Sequence, residues 1–411
     1  MLAARRCLTG FLAAGVGLLT IGLPAWAGPV EPVVDDPVFV QGLQWSLDEI
    51  NAPEAWPIST GEGITVAVLD SGIDLTHEDL SDKVVAQTSC LGAEGDPSQC
   101  DGSAQDDHGH GTHAAGIAVA STNNGLGMAG VAPDAELMVV RVLSNQCDAD
   151  GSDCDAVGSS ADVSAGIRWA ADNGADVINL AIGGGTLPSD LGCVLCDALQ
   201  YAWSKGSIPV MAAGNDSELP EEFADQPVVI VSATTRDDTR ASYSSAHSDL
   251  LRSARWPVAA PGGEGETGAS DCGTGGTPKG VLSTYWVDGQ ANQYACLAGT
   301  SMAAAHVSGA LAVLLGTGLS PEAAVDRLLA SASDLGLPGR DDVFGEGRID
   351  LGAATEADRT PVAPSIARPI EPGAESRDLS TGSLATLLLL VLVAAGGTAA
   401  VASRIVASGS R

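Results

Sequence analysis

The sequence predicts an α/β fold, and three features carry that reading. Ile64 to Asp70 and Ile208 to Met211 are short apolar runs of strand length, which read as buried strands. Gly109 to Gly116 and Gly299 to Gly309 each start at a glycine and continue in small or apolar residues, as helices opened by a tight turn do. The residues able to do chemistry fall at the ends of these elements. Together they predict three layers, a mainly parallel central sheet flanked by helices.

At the N-terminus, Met1 to Ala27 carries Arg5 and Arg6, an apolar stretch from Phe11 to Leu23, and Ala25-Trp26-Ala27 as a small-residue cleavage pattern. It reads as a signal peptide, residues 1–27, taking the general secretory route. A short extension, residues 28–40, follows and is far below domain size. Residues 41–355 then hold the folded domain.

Within that domain, the run from Ile64 ends on Asp70, which is followed by Ser71-Gly72, so this carboxylate leaves a strand at its C-terminal edge. Gly-His-Gly-Thr-His from Gly109 puts His110 in the first turn of a helix, facing a cleft, and His113 about one turn on, facing the packing. His113 therefore reads as a hydrogen-bonded core histidine, His108 as solvent-facing and Asp74 as a local structural carboxylate. Gly299-Thr300-Ser301 delivers a serine to a helix N-terminus, where unpaired backbone N–H groups can hold an oxyanion formed when its oxygen attacks a carbonyl.

Asp-Ser-Gly at Asp70, His-Gly-Thr-His at His110 and Gly-Thr-Ser-Met-Ala at Gly299, in the order Asp, His, Ser, resemble the motifs of the subtilisin-like serine proteases. The resemblance implies the subtilisin-like fold and a serine endopeptidase that takes protein or peptide substrates. It gives Ser301 as nucleophile, His110 as general base and acid, and Asp70 as the group that orients the imidazole. Asn215, in Ala-Ala-Gly-Asn after the second strand, corresponds to the family's oxyanion asparagine. Ala181, Ile182 and Gly183, in Val-Ile-Asn-Leu-Ala-Ile-Gly-Gly, correspond to the edge that pairs with an extended substrate, and Gly214 and Asp216 line the same cleft. Val258 to Gly262 resembles the segment that leads back toward the nucleophile. The family also implies a structural calcium held by Gln41, Asp79 and Asn124 with the carbonyls of Thr122, Leu126 and Met128, an all-oxygen set of the kind Ca²⁺ takes. One departure stands out: the family places proline before the histidine matching His306, and this chain has Ala305 there.

Composition excludes other classes. With 52 acidic residues against 19 basic ones and a formal net charge of −33, the surface repels nucleic acid. The acidic loop with Asp148, Asp150 and Asp153 reads by default as a solvated charged loop. The resemblance, however, places Asp216 and the cluster from Asp148 to Asp155 near the family's substrate-binding loops, which implies a preference for basic side chains near the scissile bond. Ser301 lacks the Gly-x-Ser-x-Gly frame of lipases and esterases. Of the nine cysteines, Cys7 lies in the leader, leaving an even eight in an oxidising compartment. Their spacing suggests neighbours pair, Cys90 with Cys100, Cys147 with Cys154, Cys193 with Cys196 and Cys272 with Cys296, although other connectivities fit the sequence too. A zinc site fits less well, since the single Cys-x-x-Cys has no second half at the usual spacing.

Residues 356–383 contain Pro361, Pro364, Pro369 and Pro372 without apolar periodicity, and read as an extended linker. Residues 384–402 carry no charge and reach the ~20 residues a transmembrane helix needs. Arg404 and Arg411 then mark 403–411 as a cytoplasmic tail under the positive-inside rule. This layout resembles the membrane-anchored mycosins of bacterial type VII secretion, which implies, as the alternative to a membrane-tethered endopeptidase, a subtilase whose main role is as a structural partner of a secretion complex.

Overall fold

The computed structural model describes residues 34–147, 154–182, 194–215, 221–245, 250–265, 268–269, 272, 278–356 and 404–407. The first apolar run forms β1 (Thr65–Asp70), followed by β2 (Val84–Ser89), the helix His110–Val119 and β3 (Glu136–Arg141). A hairpin of β4 (Ser144–Cys147) and β5 (Cys154–Ser159) leads into the helix Ser160–Asp172. Next come β6 (Val177–Leu180), the helix Val194–Lys205, β7 (Ile208–Ala212), β8 (Val229–Thr234) and β9 (Trp256–Pro261). The segment β10 (Gly268–Ala269) and the hairpin β11 (Val281–Val287) and β12 (Gln290–Ala298) precede the helices Thr300–Gly316 and Pro321–Ala330. Farther on, β13 (Arg404–Ala407) pairs antiparallel with β5.

Seven strands make the central sheet in the order β2-β3-β1-β6-β7-β8-β9, with every neighbouring pair parallel. Because side chains alternate across a strand, β1 sends Val66 and Val68 to one face and Ala67 and Leu69 to the other. The first face packs on Ala114 and Ala118 of the His110 helix and on Ala303, Val307 and Leu311 of the Ser301 helix. The second packs on Val163 and Ile167 of one helix and Leu195 and Leu199 of the next. Helices therefore cover both faces, the three-layer arrangement the sequence implies. Helix Thr300–Gly316 is buried almost all round, which explains why its sequence shows no polar face.

Three disulfides, Cys90–Cys100, Cys147–Cys154 and Cys272–Cys296, join the neighbours the spacing suggests. Cys196 is also disulfide-bonded, while Cys193 lies outside the described residues. Among the described residues no single helix is long and apolar enough to cross a membrane. Residues 1–33, 357–403 and 408–411, which hold the expected signal peptide, linker, apolar stretch and tail end, lie outside the description.

Candidate active site

A parallel sheet presents all its strand ends on one edge, and chain segments leaving that edge converge where the strand order reverses. Asp70 is the last residue of β1, Ala181 and Ile182 follow β6, and Asn215 follows β7, so all four leave neighbouring strands at the same edge. The helices beginning at His110 and Thr300 start there too. Sheet topology thus brings together residues more than two hundred positions apart.

Asp70 is fully buried, and both of its oxygens lie 2.9 Å from His110 Nδ1. The Ser71 N–H donates to Asp70 Oδ1 at 2.7 Å. The His110 side chain keeps 14% of its surface open, so one edge of the ring reaches the cleft while the other is tied to the carboxylate. Burial disfavours a charged imidazole here, yet the charge and hydrogen bond of Asp70, with Asp106 behind them, outweigh it and hold the His110 pKa above its ordinary value. That balance suits a general base.

Ser301 is the second residue of its helix and is buried, and its hydroxyl donates to the Ala181 carbonyl at 2.8 Å. Among the described residues this is its side-chain hydrogen bond, so proton transfer to His110 requires the hydroxyl to swing away from Ala181. Asn215 is buried, and its Oδ1 accepts from the Thr300 N–H at 3.0 Å and the Thr300 hydroxyl at 2.9 Å. With the oxygen so engaged, the amide NH₂ faces the Gly299 turn, where a Cβ on Gly299 would lie 3.3 Å from Asn215 Nδ2. Gly214 has φ +99°, a left-handed conformation that a side chain would strain, and it turns the chain so that Asn215 enters the site.

The neighbouring polar residues sort themselves by contact. His113 Nε2 donates to the carbonyls of Val281 and Ala295, and burial pushes its pKa down to about 3. It is the core histidine expected, fastening the β11–β12 hairpin to the helix. Asp74 accepts from the N–H and hydroxyl of Thr76, a local turn. His108 departs from expectation: it is half-buried, with Nε2 3.4 Å from the Cys154 carbonyl, because β5 folds over it. Ala305 is the sixth residue of its helix, past the first turn, where an N–H has a carbonyl acceptor four residues back. The alanine therefore keeps a hydrogen bond that proline would forgo.

Of the expected calcium set, Asn124 and Met128 meet Asp79, but through N–H groups rather than oxygens, since Asn124 Oδ1 accepts from the Leu126 N–H. Asp79 is buried and accepts from Asn124 Nδ2, from the Met128 N–H and from the Tyr294 hydroxyl. Gln41 is exposed at the end of the turn Pro37–Val40, and the N-terminal residues that meet the loop 122–128 are instead Asp35, Asp36 and Val38. The Asp36 Oδ2 accepts from the Asn123 N–H at 2.9 Å, its buried Oδ1 has no hydrogen-bond partner, and burial raises its pKa. An orphaned carboxylate oxygen on a residue hydrogen-bonded to the Asn123 N–H, one position from Asn124, is what a bound cation would satisfy. Asp35 also accepts from the Gly125 N–H. Among the described residues no group of three or more His, Cys, Asp or Glu side chains has metal-site geometry, so carbonyls must supply the rest of any shell. Sequence reading missed Asp36, whose signal was an acid directly before Pro37 and the first helical turn. Leu126 is exposed, Thr122 half-buried, and Gly183 and Asp216 lie outside the described residues, as do Asp148, Asp150 and Asp153.

Residues 61–347 match the family model described as the subtilase family. Thermitase of Thermoactinomyces vulgaris is 36% identical over 288 residues, covering 70% of this chain and 86% of thermitase. Subtilisin Savinase of Lederbergia lenta is 34% identical over 322 residues, 77% of this chain and 99% of that protein. A solved protease structure from Pseudoalteromonas arctica superposes with a TM-score of 0.64 at 32% identity, covering 79% of this chain and 99% of its own. A matched region that spans the strand-edge site from Asp70 to Ser301 places the chain in the subtilase family, as a serine endopeptidase.

Proposed function

We propose that this protein is an exported, membrane-tethered endopeptidase that cuts peptide bonds through an acyl-enzyme on Ser301. The observation that carries the triad reading is the paired 2.9 Å contact of Asp70 with His110 Nδ1, which leaves Nε2 for the serine. His110 takes the Ser301 proton as Oγ attacks the carbonyl carbon, then gives it to the leaving amine; water hydrolyses the resulting ester by the same route. Asp70 holds the tautomer and stabilises the imidazolium. The Asn215 amide and the Ser301 N–H receive the oxyanion. By the family resemblance the substrate backbone would pair along Ala181, Ile182 and Gly183, with Gly214 and Asp216 as further substrate-binding residues.

Treating the purified full-length protein with a fluorophosphonate probe tests this directly. Labelling on Ser301 that disappears in His110→Ala supports the assembled triad. A folded protein that neither labels nor cleaves a peptide would sink it.

Calcium would be held by Asp36 and Asp79 with Asn124 and carbonyls of the loop 122–128, and would supply stability rather than chemistry. The net charge of −33 supports a preference for basic side chains, which equal cleavage of Arg, Leu and Phe peptides at low salt would refute.

Tethering rests on the charge-free stretch 384–402 behind a proline-rich linker. The pairing of β13 with β5 weighs against it, since a tail beside the catalytic domain cannot at the same time lie across a bilayer from it. Protease protection of a C-terminal epitope tag in intact cells separates the two. A structural role in a secretion complex is the second reading, drawn from the domain layout, and rescue of a secretion defect by Ser301→Ala would favour it.

A further inference from the structure

Asp106 lies beside the candidate triad, 2% exposed, and takes no part in the chemistry set out above. Its Oδ1 accepts from the Ser71 hydroxyl at 2.8 Å, the His108 N–H at 2.9 Å and the Gly109 N–H at 3.0 Å. Its Oδ2 accepts from the Thr112 N–H at 3.1 Å and from the Thr112 hydroxyl. The backbone donors bracket His110 on both sides. Such a carboxylate satisfies N–H groups that a helix N-terminus otherwise leaves unpaired.

The remaining donor belongs to the residue after Asp70. Ser71 gives its N–H to Asp70, gives its hydroxyl proton to Asp106, and accepts the Gly111 N–H on the same oxygen at 3.0 Å. A closed ring of hydrogen bonds thus runs from Asp70 through Ser71 and Asp106 to the first turn of the His110 helix. Packing tightens it: a Cβ on Gly111 would lie 2.1 Å from the Gly72 carbonyl oxygen and 2.9 Å from the Asp70 Cβ. The strand-end turn and the helix start are pressed together with only glycine between them.

We infer that Asp106 is a positioning residue for the general base: it locks the first helical turn onto the Asp70–Ser71 turn and so keeps the His110 ring on both oxygens of Asp70. This deepens, and rests on, the triad reading. The side chain also brings a second carboxylate near the imidazole. Other ionisable groups around His110 are Asp70 on β1, His108 and His113 on its own segment, Tyr285 of β11 against the Gly109 turn, and the Arg141–Asp107 ion pair beyond.

Asp106→Asn tests this in the full-length protein, compared with wild type and Ser71→Ala for kcat, KM, fluorophosphonate labelling, thermal midpoint and the pH dependence of kcat/KM. Asparagine keeps the shape but replaces an acceptor oxygen by an NH₂ group facing donors. Misplacing a catalytic group by an ångström can cost about 100-fold, so kcat and labelling should fall by up to that factor with KM near the wild-type value. The acid limb of kcat/KM should move to lower pH, because a negative charge that favours the imidazolium is gone. Ser71→Ala should lower kcat less and leave the limb in place, since the Asp106 carboxylate remains.

An Asp106→Asn protein with wild-type kcat and an unmoved limb overturns the inference. So does one whose activity falls only in step with its folded fraction. Should Asp106→Asn fail to fold, a folded Ser71→Ala with undiminished kcat overturns it equally. An inactive, unlabelled wild type would bring down the triad reading and this inference together; an active wild type with unaffected variants brings down the inference alone.

Discussion

Asn215 and Thr300 are joined twice, the Asn215 amide oxygen accepting both the backbone N–H and the hydroxyl of Thr300 at 3.0 and 2.9 Å. The residue before the nucleophile thereby sets which end of the amide faces the reacting carbonyl. Removing the donor in Asn215→Ala should lower kcat by about 10²- to 10³-fold, the usual cost of losing one oxyanion donor, with KM little changed. Thr300→Val, which keeps the N–H bond and loses the hydroxyl bond, should lower kcat by a smaller factor. Steady-state kinetics on one peptide substrate decides it: a Thr300→Val enzyme as impaired as Asn215→Ala would mean that the hydroxyl acts on something other than the amide.

His110 acts as a base only when neutral, and its pKa is held above the ordinary imidazole value. The acid limb of kcat/KM should therefore fall above pH ~6.5. Asp70→Asn removes the charge that raises it and leaves the wrong tautomer, at a cost of about 10⁴-fold in kcat. A wild-type limb at or below the free-imidazole value would contradict the balance of charge over burial drawn here.

Acid stability should depend on two other histidines. Burial pushes His113 to about 3 and His306 to about 4, and each is neutral in the fold. A group with a depressed folded pKa stabilises the protein above its unfolded value, so this stability is present above pH ~6.5 and lost as pH falls toward the folded values. His110, raised instead, contributes in the opposite sense, most below its unfolded pKa and least above its folded one. His306 Nδ1 donates to the Met302 carbonyl at 2.8 Å, a bond that an asparagine can imitate. Between pH 7 and pH 5, His306→Asn should lose less of its thermal midpoint than wild type. Parallel curves for the two proteins would refute the assignment.

Chelation should separate Asp36 from Gln41. A ligand present at about a hundred times its Kd adds ~2.7 kcal/mol to stability, so EGTA should lower the wild-type midpoint measurably. Asp36→Ala should begin lower and respond little to EGTA, whereas Gln41→Ala should behave as wild type. A wild-type midpoint indifferent to both EGTA and added calcium would remove calcium from this loop.

Much of this was legible in the residues themselves. Asp70, His110 and Ser301 sit where local rules can be read, at the end of an apolar run and at the first turns of two glycine-opened helices. The disulfide partners Cys90–Cys100, Cys147–Cys154 and Cys272–Cys296 are near neighbours in sequence, so spacing alone suggested them. Sequence by itself determined the strand and helix class, the side chains proposed to react and the sign of the net charge.

What tertiary structure decided is everything that depends on meeting across the sheet. That Asp36 rather than Gln41 reaches the loop 122–128 follows from how the N-terminal segment lies along residues 123–128, and no local pattern encodes that path. Whether His108 faces water or β5 was set by a hairpin folding back from residue 154. The link from Asp106 through Ser71 to Asp70 exists because the parallel order puts a strand end against a helix start and glycine lets them touch. Side-chain chemistry is local to the chain; the carboxylate that holds a base in place is chosen by packing, which is not.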